Sequence, residues 1–380
     1  MAIEDDDLRD REIWTAVSRH WYSKASDDAP TTGRLHHHLA ILARPHAVAQ
    51  LFHYTKALCV PIPFGSARDS IHTLFDPLWA PSQQKGGSQS NDAAFVRVHS
   101  ALYSSRHANK REAAMEDFLG SLDLTISRLT KSWMETGYQM AVAMANAVLG
   151  YGAEDHVMML VINPPKVEVD SSDVAMTGVP VAHTPSPDLD GSVSLMVQTS
   201  EIVFRRFGDP NIYPFLHVSL VFLNFLSRYP AAMYHLEAAY PWKLLALMLN
   251  TLSVSYSDFS RVEGEGFPRG ESSRPLPEDY ALRGLLWTEE QFFPDDWFSS
   301  AKVDDDERYL EVASMTDERK QRILWLACQI SKSGRCLTYS KTQFGVTKDH
   351  DIEIAPAPPA QAWEMLTIEV PSPSASSTIG

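Results

Sequence analysis

The amino-acid sequence predicts an all-α fold, and three observations support this prediction. Apolar residues recur at helical spacing through most of the chain. Asp-Pro and Tyr-Pro steps separate these segments, and the residue before a proline seldom remains helical. Strand-like alternation is confined to one short stretch after residue 334. These patterns exclude a protein built on a parallel sheet.

A repeat near the amino end predicts paired helices. Residues 22–25 and 54–57 share the pattern Tyr-x-Lys-Ala, with a period of 32 residues. This is close to the ~34-residue period of tetratricopeptide repeats, in which each unit is a helix pair. Pro30 follows the first copy and Pro61 the second, as expected where helices end. We therefore expect tetratricopeptide-like helix pairs in residues 1–80.

Three consecutive histidines, His36, His37 and His38, lie within this region. Consecutive helical residues point about 100° apart, whereas two ligands on one helix face must be three or four residues apart. The residues three and four positions ahead are apolar, so no second ligand is within reach. The stretch 33–45 therefore predicts an amphipathic helix, with Leu39 on its buried side together with Leu35 and Leu42, and not a metal site.

Helical patterning continues beyond residues 81–92, which predict a flexible linker. In residues 93–162, an apolar stripe indicates a core-facing helix, with a turn at Gly137. The stripe consists of Phe118, Leu122, Ile126, Leu129 and Trp133. Residues 163–192 are rich in Pro, Ser and Asp and predict a disordered insertion.

The second half of the chain predicts further helices at 195–207, 213–228, 242–254 and about 305–332, and then one short strand. The predicted organisation is the end of a helix-pair domain in 1–80, a linker in 81–92, a helical-hairpin domain in 93–346 that contains the insertion 163–192, and a disordered tail in 347–380.

Composition limits the possible functions. A net charge of −15 opposes nucleic-acid binding by the surface as a whole, so any such site must be local. Cys59, Cys328 and Cys336 have no metal-type or paired spacing, which predicts a reduced, intracellular protein without zinc. The longest apolar run is shorter than the ~18 residues needed to span a bilayer, so we expect no membrane partner.

Enzyme signatures are nearly absent, and we predict no catalytic residue, metal ligand or cofactor. The chain has no G-x-S-x-G elbow, phosphate-binding loop, dinucleotide fingerprint or H-E-x-x-H motif. Ser82 and Lys85 match S-x-x-K only within the predicted linker. The acidic cluster Asp304, Asp305, Asp306 and Glu307 fits an exposed helix start, and a metal-dependent hydrolase or nuclease is the remaining enzymatic alternative.

Two segments stand out from the acidic background, because residues 93–111 and 319–348 contain no Asp or Glu. Basic side chains interleaved with aromatic ones suit single-stranded DNA or RNA, where cations meet phosphates and bases stack. A solvated helix face balanced by acidic neighbours is the alternative. The candidate nucleic-acid contacts are Arg97, Arg106, Lys110, Arg111, Arg319, Lys320, Arg322, Trp325, Lys332 and Arg335.

Several stretches resemble a known family. GRLHHHLAILARPHAVAQLFHYTKALCVPIPFGSARDSIHTLF, residues 33–75, resembles the end of the tetratricopeptide, 14-3-3-like domain of Est1-type telomerase-associated proteins and the SMG scaffolds of nonsense-mediated mRNA decay. FVRVHSALY, YPWKLLALMLNTL, PLPEDYALRGLLW and RKQRILWLACQIS are similar to the helical-hairpin region that follows it, often described as a DNA/RNA-binding domain. The resemblance covers roughly residues 11–346.

The resemblance implies a non-catalytic adaptor in the nucleus, the cytoplasm or both. Its partners would be decay or telomerase-complex proteins, and it would act in mRNA decay, telomere maintenance or both. A dedicated single-stranded nucleic-acid-binding protein is the alternative. Relatives have further helices upstream, so the chain resembles an N-terminally truncated member. Trp14, Val17 and Trp21 would then be exposed and could drive self-association, because each unit of a repeat stack covers its neighbour.

Overall fold

The structure, a computed structural model, describes residues 8–80, 90–164, 188–254, 256, 259–270, 274–288, 292–299 and 311–354. Within these residues helices are the dominant secondary structure and the strands are limited to one short hairpin, so the all-α prediction is confirmed. Most of the predicted linker and insertion, the Ser82 and Lys85 match, the cluster Asp304–Asp306 and the tail beyond residue 354 lie outside them. No described helix is long and apolar enough to cross a membrane.

Three helices form the amino-terminal part, α1 (Leu8–Asp28), α2 (Gly33–Leu42) and α3 (Ala47–Leu58). A Cβ at Gly33 would lie 2.3 Å from the carbonyl oxygen of Ala57, so only glycine permits this approach of α2 to α3. The predicted helix at the histidines is present. The prediction of its buried side is wrong in part, because Leu35 and Leu42 are only half-buried. The imidazoles of His36 and His37 take their place, since α2 packs between α1 and α3.

Short helices lead from this part to the next layer, which includes the most buried helix of the first half. They are α4 (Ala67–Ser70), α5 (His72–Phe75) and a 3₁₀ turn (Asp76–Trp79). The helices α6 (Asn91–Tyr103), α7 (Arg111–Leu129) and α8 (Trp133–Val148) follow, with a 3₁₀ turn (Ser105–Lys110) between α6 and α7. The helix α8 packs against α3 and contributes an almost wholly buried surface.

The apolar stripe of α7 and α8 is buried except at Leu129, which is 38% exposed. The reason is that α7 ends there, and Thr130 turns the chain with a positive φ of 50°. The predicted turn at Gly137 is wrong, because Gly137 lies inside α8. The ring of Trp133 occupies the space that a side chain at Gly137 would need, with ring atoms 2.6 Å from an added Cβ.

The second half contains α9 (Val157–Ile162), α10 (Leu189–Phe204), α11 (Tyr213–Leu226), α12 (Pro230–Glu237), α13 (Trp242–Val254), α14 (Ser260–Glu263), α15 (Pro277–Leu282) and α16 (Ala313–Ser331). The buried helix α11 packs against α8 on one side and α16 on the other. It therefore joins the two halves of the core.

The predicted single strand is a β-hairpin of β1 (Leu337–Ser340) and β2 (Gln343–Val346), paired antiparallel with Leu337 opposite Val346. Lys341 and Thr342 form its turn with φ values of 50° and 65°, as in a type I′ turn. The side chain of Asn250 closes the hairpin onto α13, because it donates to the carbonyl oxygen of Phe344 and accepts from its N–H, both at 2.8 Å.

Candidate nucleic-acid interface

The arginines of α16 lie inside the protein. Arg319 is 1% exposed and Arg322 2% exposed. Arg319 donates through Nε to Oε1 of Glu278 at 2.6 Å and through Nη2 to Oε2 at 3.0 Å. Its Nη1 donates to Glu311 at 2.8 Å. The guanidinium of Arg319 is therefore fully used by carboxylates of its own chain.

The acceptor of this pair, Glu278, is itself completely buried. Burial alone would raise the pKa of Glu278, but the charge of Arg319 and the hydrogen bonds from His217 and Arg319 outweigh burial and hold that pKa well below its usual range. His217 of α11 contributes Nδ1, 3.0 Å from Oε1 of Glu278. This network connects α11, α15 and α16.

Arg322 forms a second buried ion pair, with Asp279, the residue that follows Glu278. Its Nη1 donates to both carboxylate oxygens of Asp279, at 2.9 and 3.0 Å. The guanidinium carbon lies 4.2 Å from the ring centroid of Phe267 and 4.7 Å from that of Trp297. Trp297 also donates through Nε1 to Asp279 at 3.1 Å. Rings and a carboxylate thus enclose this cation on several sides.

The other residues of this segment that the sequence suggested as nucleic-acid contacts also have partners within the chain. Trp325 is buried and donates through Nε1 to the carbonyl oxygen of Gly264 at 3.1 Å. The Nζ of Lys320 lies 3.3 Å from Oδ1 of Asp317, and the Nη2 of the exposed Arg335 lies 2.8 Å from Oε2 of Glu237. The Nζ of Lys332 is 4.0 Å from a carboxylate oxygen of Glu265.

A nucleic-acid contact through Arg319, Arg322 or Trp325 does not fit these positions, because no phosphate or base can reach groups enclosed by protein. The charges of Arg319 and Arg322 compensate acids of other elements, and these pairs hold α16 in place together with the hydrogen bond of Trp325. The predicted alternative, basic residues balanced by acidic neighbours, describes this segment: Arg319 and Arg322 meet their acids inside the protein, whereas Lys332 and Arg335 meet theirs at the surface.

The basic segment around α6 has a different character. Arg97 is largely buried and its Nη2 lies 3.1 Å from Asp117 of α7, while Arg111 pairs with Asp188 at the start of α10. Arg106 and Lys110, by contrast, are exposed in the 3₁₀ turn between α6 and α7. These two side chains give this turn its positive surface charge.

Beside these cations lies an aromatic stack that joins two distant parts of the chain. The rings of Trp79 and His107 are stacked with centroids 4.4 Å apart and an interplanar angle of 25°. The Nζ of Lys110 lies 5.2 Å from the centroid of Trp79, within cation–π distance. Trp79 donates through Nε1 to the hydroxyl of Ser100 at 3.0 Å, which fixes its ring to α6. We refer to Trp79, Arg106, His107 and Lys110 as the Trp79 platform.

The platform presents a neutral imidazole at physiological pH. Burial lowers the pKa of His107, and the charges of Lys110 and Arg106 lower it further, whereas nearby Asp76 raises it. His107 therefore behaves as an aromatic surface, and the positive charge of the platform comes from Lys110 and Arg106. A stacked ring pair edged by flexible cations can extend its stack with a nucleobase and neutralise the adjoining phosphate.

Sequence reasoning missed Trp79, because this residue precedes the acid-free segment and is 28 positions away from His107. The two basic segments have different main neighbours in the fold. The main neighbours of α6 are α3 and α7, whereas those of α16 are α11, α13, α14 and β1. The four residues of the platform lie within one part of the fold, between residues 79 and 110.

Residues 18–163 of the chain match the family model described as the Est1 DNA/RNA binding domain. This part of the chain is therefore similar to the DNA/RNA-binding domain of the Est1 family. The predicted family resemblance is thereby confirmed. The matched residues include about half of α1, all of α2 to α9 and the whole Trp79 platform. No curated protein matches the chain.

In the described ranges, no group of three or more His, Cys, Asp or Glu side chains could hold a metal ion. The free thiols of Cys59, Cys328 and Cys336 are buried, and burial raises the pKa of each to about 12, so none is a reactive thiolate.

Proposed function

We propose that this protein is a non-catalytic Est1-type adaptor that contacts single-stranded DNA or RNA at the Trp79 platform. The observation that carries the proposal is the stack of Trp79 on His107 beside two exposed cations, inside the residues that match an Est1 DNA/RNA binding domain. A base would add to the stack while Lys110 and Arg106 neutralise the phosphates beside it. Binding would be local, as a chain of net charge −15 requires.

The expected strength of each contact follows from its chemistry. Stacking of a base on an aromatic side chain contributes about 1–3 kcal/mol, which corresponds to a loss of about 5- to 150-fold when Trp79 is removed. Two phosphate contacts to a single strand give a slope of about −1.4 in a plot of log affinity against log salt. Affinity should then fall about sevenfold between 50 and 200 mM salt.

The experiment is fluorescence anisotropy with labelled 20-nucleotide DNA and RNA across that salt range. We expect Trp79→Leu to weaken binding without changing the salt slope, because leucine carries no charge. Lys110→Gln should reduce the slope by about 0.7, the share of one phosphate contact. Lys348→Gln, at an exposed lysine in the carboxyl-terminal part, is the matched control and should change neither quantity.

Circular dichroism of each variant separates a lost contact from a lost fold. Absence of binding by the wild-type chain at 50 mM salt would refute the nucleic-acid function. Binding that Trp79→Leu and Lys110→Gln leave unchanged would refute the platform as its site. Substitution of Arg319 or Arg322 tests folding and not binding, because both arginines are internal.

We further propose that the protein acts in nonsense-mediated mRNA decay, telomere maintenance or both, in the nucleus, the cytoplasm or both. Its partners would be decay or telomerase-complex proteins. Support for this part of the proposal comes from the family resemblance of the sequence. Crosslinking in cells distinguishes the two pathways, because recovery of mRNA would favour decay and recovery of telomeric DNA or telomerase RNA would favour telomere maintenance. Recovery of neither would contradict both.

A further inference from the structure

An acidic residue lies beside the Trp79 platform. Asp76 is the first residue of the 3₁₀ turn that ends at Trp79. Side chains three positions apart lie directly above one another in a 3₁₀ helix, so the carboxylate of Asp76 and the ring of Trp79 share one face of the turn. The charge of Asp76 also acts on His107, the ring that stacks on Trp79. A negative charge therefore lies next to a platform whose own charged side chains are cations.

The carboxylate of Asp76 is open to solvent and keeps most of its hydrogen-bonding capacity. Its side chain is 60% exposed, and Oδ1 lies 4.0 Å from Nδ1 of His72, which is the outer limit of an ion pair. His72 in turn makes edge-to-face contacts with the rings of Phe75 and Tyr103. In the part of the chain that the structure describes, no donor lies within hydrogen-bonding distance of either oxygen of Asp76. The group is thus a free acceptor at the edge of the platform.

A carboxylate in this position is unfavourable for a DNA strand. An ionised carboxylate only accepts hydrogen bonds, and it repels the phosphates that Lys110 and Arg106 attract. The sugar and phosphate groups within a DNA strand contain no donor that could offset this repulsion. Each nucleotide of RNA has one, the 2′-hydroxyl. A free acceptor next to the stack can therefore distinguish the two backbones.

We propose that Asp76 accepts a hydrogen bond from the 2′-hydroxyl of the nucleotide whose base extends the stack, so that the Trp79 platform selects RNA over DNA. This inference rests on the proposed function, because it requires a strand at the platform. The 2′-hydroxyl is present whichever base stacks, and stacking on an aromatic ring tolerates every base. Acidic side chains bind ribose hydroxyls in the same manner in dinucleotide-binding folds. The selection would thus depend on the sugar and not on the sequence.

A structural role is the alternative for Asp76, as an acid in the first position of a helical turn. Such a role would change the affinity for RNA and for DNA by the same factor, because the folding of the turn does not depend on the sugar of a ligand. The ratio of the two affinities is therefore the quantity that tests the proposal, whereas either affinity alone is not.

Fluorescence anisotropy at low salt measures this ratio with labelled RNA and DNA strands of one sequence that contains only adenine and cytosine. We expect the wild-type chain to bind the RNA about tenfold more tightly, as one hydrogen bond to a charged acceptor predicts. Asp76→Ala should reduce the ratio to about one. Asp76→Asn keeps an uncharged acceptor and should give an intermediate ratio. Asp349→Ala is the matched control, because Asp349 is an exposed acid in another 3₁₀ turn and should leave the ratio unchanged.

Modified RNA separates the hydroxyl from the other features of RNA. Strands with 2′-O-methyl or 2′-fluoro sugars lack the donor, and the 2′-fluoro strand keeps the sugar pucker of RNA. We expect both to bind as the DNA does. A 2′-fluoro strand that binds as tightly as RNA would show that the platform responds to sugar shape, and it would overturn the role of Asp76. An Asp76-dependent preference for adenine and cytosine over uracil or thymine would assign the carboxylate to base amino groups and likewise overturn it.

The same measurements distinguish failure of this inference from failure of the proposed function. Equal affinity for RNA and DNA, with both weakened by Trp79→Leu, would overturn the role of Asp76 and leave the platform as a nucleic-acid site. A ratio that Asp76→Ala leaves unchanged would do the same, provided that circular dichroism shows a folded variant. Binding of neither strand by the wild-type chain would refute the proposed function and this inference with it.

Discussion

Arg319→Met should destabilise the fold more than any surface charge substitution. The change removes the cation that faces Glu278 at 2.6 and 3.0 Å, and it leaves a carboxylate with no exposed surface. Removing one partner of a buried ion pair costs about 3–5 kcal/mol. The exposed pair of Arg335 and Glu237 has the same two-pronged geometry, so Arg335→Met is the matched control, with an expected cost of about 1 kcal/mol or less.

The pH dependence gives a sharper test. In the native protein the pKa of Glu278 lies below its unfolded value, so its stabilising effect is present above about pH 4.3 and is lost as the pH falls further. Without Arg319, burial dominates and the pKa of Glu278 should rise above the unfolded value. The contribution of Glu278 to the pH dependence of stability then reverses in sign. The variant should therefore gain stability, relative to wild type, as the pH decreases from 7 to 5.

Urea unfolding followed by circular dichroism at pH 5 and pH 7 measures both effects. The double variant Arg319→Met, Glu278→Gln should recover part of the loss, because no unpaired charge stays buried. A cost for Arg319→Met no greater than that for Arg335→Met would refute the reasoning. A relative stability of Arg319→Met that does not change between pH 5 and pH 7 would refute the proposed origin of the cost.

Three further predictions concern the backbone and the buried cations. Gly33→Ala should lower stability by about 2–4 kcal/mol in thermal or urea unfolding, because the added Cβ would lie 2.3 Å from the Ala57 carbonyl oxygen; a loss below about 0.5 kcal/mol would contradict the close approach of α2 and α3. Burial lowers the pKa of Lys56 to about 7, so the unfolded chain holds this proton to higher pH and stability should rise between about pH 7 and 10. Lys56→Met should reduce that slope, and an unchanged slope would show that Lys56 is not its source. Thr342→Gly should stabilise the chain by about 1 kcal/mol, because its φ of 65° is strained for threonine, and a destabilised variant would argue against this turn.

The sequence predicts most of what depends on neighbours along the chain. Helical spacing identifies the stripe from Phe118 to Trp133, which is buried except at Leu129. Gly137 escapes this reasoning, because a glycine within a helix is not a turn when a large ring four residues earlier covers it. The packing of that ring against the backbone is decided by the tertiary structure.

The site depends on contacts that local patterns do not contain. Arg319 and Arg322 have the charge of a nucleic-acid contact, but their acids are 41 and 43 residues away, so only the fold reveals that they are internal. Likewise, Trp79 and His107 lie on opposite sides of the predicted linker 81–92 in the sequence, so local patterns do not show that their rings stack. Of the two acid-free segments, the one at α6 keeps two exposed cations beside this stack, and the pattern alone could not separate it from the other.

The paired acids of α15 have a consequence for how the chain selects one alignment of its last long helix. Glu278 and Asp279 are adjacent, and the two arginines that meet them are three positions apart on α16. If α16 moved by one helical turn, Ile323 and Leu326 could lie against two buried carboxylates, which would be left without a counter-charge. The apolar face of α16 would tolerate several alignments, whereas this pattern of charges permits one. The acids thus specify the register of the helix, in the way that a buried polar residue specifies register in a coiled coil.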